Sequence, residues 1–77
     1  MKYKNIIKNK YYYCHDKEHN LIGIFKCTNT SIKQICNVVW AQNSQLKKVS
    51  FYCNEIIRKA TKKEIKKYKN EEFENCI

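Results

Sequence analysis

Cys14, His15 and Asp16 stand side by side in a 77-residue chain, and they are the residue types of a nucleophile, a base and an orienting carboxylate. Adjacency works against them. In an extended strand successive side chains point to opposite faces, so three neighbours cannot converge on one reacting atom. His19 is the only other histidine, and an active site also needs a cleft and oxyanion donors. No catalytic residue is assigned. His15 and His19 are expected in or beside an exposed hairpin loop.

Cys14, Cys27, Cys36, Cys53 and Cys76 lie 13, 9, 17 and 23 positions apart, with no C-x-x-C pair. A structural zinc site needs closer ligand pairs, so neither a metal nor another cofactor is expected. The segment Met1–Lys8 lacks the apolar run of a secretory signal, and no stretch approaches the length of a membrane span. The cysteines are therefore expected to be reduced, mostly buried side chains of a cytoplasmic protein away from membranes. An intermolecular disulfide through Cys76 is the alternative.

The net charge is +9, from 15 Lys and one Arg against seven acids. Such an excess is the footprint of a partner rich in phosphate or carboxylate. A second source is codon bias, because ten Ile and nine Asn accompany the lysines. The preference for Lys over Arg has its own meaning. Base edges are read mainly by bidentate Arg, Asn and Gln, so lysine contacts would be largely independent of sequence.

Seven of the 16 basic residues fall between positions 58 and 69: Arg58, Lys59, Lys62, Lys63, Lys66, Lys67 and Lys69. On a helix, 59, 62, 63, 66 and 67 share one side, which makes this set the expected phosphate-binding or partner-facing surface. The competing reading is a solvated helix back. The aromatics concentrate elsewhere, at Tyr11, Tyr12, Tyr13, Phe25, Trp40, Phe51 and Tyr52. Most must fill the core of so small a chain. Tyr12 and Tyr52 are the ones expected to face outward, where they could stack on bases.

The elements that must position these residues fit one domain, 1–77, β-rich with a helical tail. Residues 1–10 read as an arm or an edge strand. Tyr11–Cys14 and Leu21–Cys27 form a hairpin around the polar turn Asp16–Asn20, with the sole glycine, Gly23, marking a bulge, a bend or a close backbone approach. The stretch 32–41 fits either an amphipathic helix or a strand, and Val38-Val39-Trp40 favours the strand. Val49–Cys53 alternates as a fourth strand, with Val49, Phe51 and Cys53 on one face. Glu55–Ala60 is a fifth strand or crossing turn, closing a β-rich core over 11–60. Thr61-Lys62-Lys63-Glu64 is a capping box opening a helix within 61–75, with Ile65, Tyr68 and Phe73 toward one face. Its lysines come first and its glutamates last, against the macrodipole, so the helix must dock to be stable.

The run from Val38-Val39-Trp40 to Ile57-Arg58-Lys59-Ala60-Thr61-Lys62-Lys63-Glu64-Ile65 resembles small phage and prophage accessory proteins with an SH3-like barrel. In these a V-x-W strand, a turn, a Y strand and an R-x-A-T-x-x-E-I tail recur, and the resemblance covers roughly residues 10–66. This chain departs from them in having one glycine and no proline. The resemblance implies an α+β fold: a small SH3-like antiparallel β-barrel of four or five strands with a C-terminal α-helix. It also implies a non-enzymatic factor acting in a host cell, since some small phage proteins of this size inhibit host defence. The expected partner is then a host nucleoprotein complex, such as a CRISPR effector, or a nucleic acid. A generic nucleic-acid-binding module, or a sponge for an anionic nucleotide, is the alternative, as monomer or dimer.

Overall fold

The computed structural model describes residues 2–30 and 38–75. Five strands, β1 (Tyr11–Asp16), β2 (Leu21–Thr30), β3 (Val38–Gln42), β4 (Lys48–Tyr52) and β5 (Ile56–Lys59), are followed by one helix, α1 (Lys62–Asn75). Every pairing is antiparallel, and the strand order is β4-β3-β2-β1-β5. β1 to β4 form a meander. After a 3-10 turn at Cys53–Glu55 the chain returns to lay β5 on the free side of β1. The fold is thus a small α+β unit with an open sheet, whose edges are β4 and β5. The barrel closure expected from the sequence is absent from the hydrogen-bonded ladder.

Alternation along each strand explains the core. On β1, Tyr12, Cys14 and Asp16 point inward, and on the other strands Phe25, Cys27, Val39, Ala41, Phe51 and Ile56 join them. Val49 and Cys53 pack against this cluster on the Phe51 side, the face expected of that strand. Phe25 and Phe51 meet edge to face with centroids 4.9 Å apart. Gly23 sits opposite Cys14 in regular register, at φ 139°, a backbone region that side chains disfavour. Open space surrounds the position where a Cβ would lie and the β1–β2 register is unbroken there, so neither a close approach nor a bulge in that ladder calls for the glycine; its positive φ does.

Two sequence expectations are corrected here. Residues 2–10 form neither an edge strand nor a loose arm. A 3-10 turn at Tyr3–Asn5 leads Ile6 into the core, and the Asn9 amide donates to the Cys27 carbonyl at 2.7 Å. In addition, Tyr12 is 1% exposed instead of outward. Its hydroxyl accepts a 2.8 Å hydrogen bond from the Ile7 amide, which ties the N-terminal segment to the core. Of the 32–41 stretch, Val38–Gln42 begin and end a strand, while residues 31–37 lie outside the described residues.

α1 begins as its capping box dictates. The Glu64 amide donates to Thr61 Oγ1 at 3.2 Å, and the Thr61 amide donates to Glu64 Oε1 at 2.8 Å. The helix docks on the outer face of the sheet through Tyr68, which is buried. Its ring meets Tyr11 edge-on at 5.0 Å, and its hydroxyl lies 2.9 and 2.8 Å from the Gln42 and Asn43 carbonyls. Phe73's side chain lies outside the described residues.

Candidate functional site

The Cys14-His15-Asp16 constellation is dispersed by the strand that holds it. Cys14 and Asp16 face the core, and His15 faces the other way. Burial, with Cys27 and Glu55 nearby, pushes the Cys14 thiol up to about 12, so it stays protonated at neutral pH. Asp16 turns instead to the hairpin loop. Its carboxylate accepts from the His19 amide at 3.2 Å and pairs with His19 Nδ1 at 2.9 Å. Burial alone would raise the Asp16 carboxyl, but the His19 side-chain and backbone hydrogen bonds overcome it and hold it below its ordinary value. His19 is raised in turn, through its hydrogen bond to Asp16. Among the described residues no three His, Cys, Asp or Glu side chains are grouped to hold a metal, and no helix is long and apolar enough to cross a membrane.

The cationic set from 58 to 69 divides into two kinds. Arg58 is committed to the fold. Its guanidinium grips the Glu64 carboxylate through both nitrogens, at 2.7 and 3.0 Å, and lies over the Tyr13 ring at 4.8 Å. That fork, helped by the Thr61 amide, lowers the Glu64 carboxyl to about 2. Arg58 therefore ties β5 to the first turn of α1. Lys59, Lys62, Lys63, Lys66, Lys67 and Lys69 are all exposed. Among the described residues none of them has a carboxylate partner. Docking through Glu64, Tyr68 and Glu71, residues spaced 4 and 3 apart, turns the lysines to solvent on both flanks.

One flank converges with lysines from other elements. Lys10, Lys59 and Lys69 border a cleft of about 470 Å³ whose floor includes Ile7, Tyr11 and Ile65. Lys26 and Lys69 approach the Tyr11 ring to 6.0 and 5.8 Å. Three ammonium groups around an apolar floor attract an anion and keep its flat or apolar part out of water.

The charge is also polarised. At the far end of the molecule an open cleft of about 580 Å³ is lined by Asp16, Glu18 and Glu55 together with His19 and Lys47. The Glu55 carboxylate accepts from the Tyr52 amide at 2.8 Å. Of the two tyrosines expected to stack, Tyr12 is withdrawn into the core and Tyr52 is 58% exposed.

A residue that sequence reasoning missed takes Tyr12's place. Trp40 is 49% exposed, on the outer face of β3, because Val39 and Ala41 take the inner positions. The signal was available in Ala41. A small side chain suits the inner position between Cys27 and Val49, its partners on either side, and that parity turns Trp40 out.

Comparison with protein-family models, with curated proteins and with solved structures finds no match.

Proposed function

We propose that the chain is a non-enzymatic binding protein that lays the lysine-lined face of β5 and α1 against nucleic acid, free or within a nucleoprotein complex. The carrying observation is the split at positions 58–69. The one arginine is neutralised by Glu64, while six lysines are held exposed and without carboxylate partners among the described residues. Point-charge ammonium groups on flexible stems suit phosphates without reading bases. The buried, protonated Cys14 thiol also argues against nucleophilic chemistry at the one triad-like motif.

We further propose that the domain is SH3-like. The order β4-β3-β2-β1-β5, with a 3-10 turn before the last strand, supports an SH3-like domain whose sheet is curled but not closed. The setting is a phage or mobile element, with a host nucleoprotein or defence complex such as a CRISPR effector as target. That setting rests on the resemblance of the C-terminal half alone. The cleft between Lys10, Lys59 and Lys69 favours one second reading, a receptor for a small anionic nucleotide.

A labelled mixed-sequence oligonucleotide titrated between about 50 and 200 mM salt tests the proposal. Affinity should fall steeply, with a log–log slope of about 0.7 to 0.9 per phosphate neutralised. Absence of binding at about 50 mM salt would remove nucleic acid as the partner. Native mass spectrometry with added nucleoside triphosphate separates the second reading, since that ligand would be held without any longer strand.

A further inference from the structure

Trp40 and Tyr52 lie on the outer face of β3 and β4, away from the core. The ladder fixes their placement. Trp40 is opposite Ser50 and Val38 is opposite Tyr52, so the two rings stand on one diagonal of the same face. Diagonal neighbours in a sheet are within reach of aromatic side chains, at about 7–8 Å between backbones. Of the large apolar side chains exposed among the described residues, these two are the aromatic ones, and they stand together on one sheet face where a partner can reach both.

The same ladder places charge next to the rings. One row inward, Gln42 is opposite both Lys26 and Lys48, and that row lies about 7 Å from Trp40 along β3. Lys26 in turn shares the Tyr11 ring with Lys69 of α1. Lysines therefore stand at Lys69, Lys26 and Lys48, the last two flanking Gln42 in the row next to Trp40, with Tyr52 farther along β4. Tyr52 itself lines the cleft that Glu18 and Glu55 make acidic, so the basic row stops short of it.

We infer that this face is a stacking platform for unpaired bases, and that the nucleic acid bound is single-stranded. The inference rests on the proposed nucleic-acid reading and narrows it. Lysines alone would accept duplex and single strand alike. Exposed rings gain only from bases whose faces are free, because in a duplex those faces are already stacked. Phosphates would follow Lys69, Lys26 and Lys48 while one base stacks on Trp40 and a neighbour on Tyr52.

The test compares a labelled 12-nucleotide oligo-dT and oligo-U with a duplex of equal length, at about 50 mM salt, by anisotropy. Trp40 is the sole tryptophan, so its emission reports stacking directly in the unmodified protein. The single strands should bind at least about tenfold more tightly than the duplex and quench that emission, whereas the duplex should leave it unchanged. Trp40→Ala should weaken single-strand binding by roughly 5- to 150-fold, the range that stacking one base supplies. Trp40→Phe should restore most of it, and Tyr52→Ala should weaken it less than Trp40→Ala. Both side chains are about half exposed, so these variants should keep the fold, as circular dichroism would verify. Equal affinity for duplex and single strand, unchanged by Trp40→Ala, would overturn the platform while leaving the lysine face standing. Failure to hold a protein partner on Trp40→Ala, with nucleic-acid affinity intact, would reassign the face to that partner. No binding to any nucleic acid would remove both.

Discussion

Phe25 on β2 and Phe51 on β4 touch, with ring centroids 4.9 Å apart, although β3 runs between their strands. In a flat sheet, strands two apart are separated by about 10 Å. The contact therefore requires the sheet to curl around its inner face, and the curl lets a 77-residue chain enclose a core. It also makes the outer face convex, displaying Trp40, Tyr52 and the lysines.

Phe51→Ala should remove the centre of that curl. It is 1% exposed, and truncating a buried phenylalanine costs about 3–5 kcal/mol. A domain this small has little more stability than that to lose. Urea denaturation should show the variant largely unfolded without denaturant, while Phe51→Leu should retain a cooperative transition.

Tyr68 is the pin of α1. Without it the helix keeps its capping box but loses its seat on Tyr11 and the one hydroxyl hydrogen that the Gln42 and Asn43 carbonyls share. Isolated helices of this length are marginal in water, and the charge order of α1 opposes its dipole. Tyr68→Ala should reduce far-UV helical signal while amide protection persists in β1–β4, measured by hydrogen exchange. Uniform loss of protection would instead make α1 part of one cooperative core.

Much of this architecture is legible in the residues, and the failures have physical causes. Thr61-Lys62-Lys63-Glu64 announces the start of α1 because a capping box is local chemistry. The Tyr11–Cys27 hairpin is equally local. Tyr11, Tyr12 and Tyr13, by contrast, offer no polar–apolar contrast to mark the inward member; Tyr12, expected outside, lies inside. Trp40 is similarly obscured, since Val38, Val39 and Trp40 are all apolar; the small Ala41 beside them is the one local hint of which turns in, and the ladder to Phe51 decides it. Arg58 reads as a partner-facing cation because its fork to Glu64 spans two elements. The open sheet is beyond reach, as closure depends on accumulated twist rather than on any residue.

Leu46 carries the strain of the β3–β4 turn. It adopts φ 64° and is half exposed, while Asn43 Oδ1 accepts from the Gln45 and Lys47 amides. A branched side chain in the left-handed region costs about 1 kcal/mol relative to glycine or asparagine. Leu46→Gly or Leu46→Asn should raise the thermal midpoint by a few degrees. A lowered midpoint would show that the leucine contributes packing that outweighs the strain.

Two ion pairs set the pH response. The Glu64 carboxyl is lowered to about 2 from 4.5, first by the Arg58 side chain and then by the Thr61 amide. Its stabilisation is complete above pH 4.5 and is lost as pH falls toward 2. His19 is raised above 6.5 by Asp16, so its contribution is complete below 6.5 and is lost as pH rises through the folded value. Asp16 is held below 3.8, so its share is lost as pH falls through that lowered value. The hairpin loop should therefore be firmest between about pH 4 and 6.5. NMR titration of His19 should give a midpoint above about 6.5, returning to about that value in Asp16→Asn. An unmoved midpoint in the variant would contradict the pairing.

The lysines of β5 and α1 are proposed to meet phosphates, and their removal tests this. Lys59, Lys62, Lys63, Lys66, Lys67 and Lys69 should be changed together to glutamine, leaving Arg58 to hold the helix, and single-strand affinity measured against salt. The variant should stay folded, bind far more weakly at low salt, and show a log–log slope reduced by about 0.7 for each phosphate no longer neutralised. A folded variant with the same affinity and the same slope would contradict it.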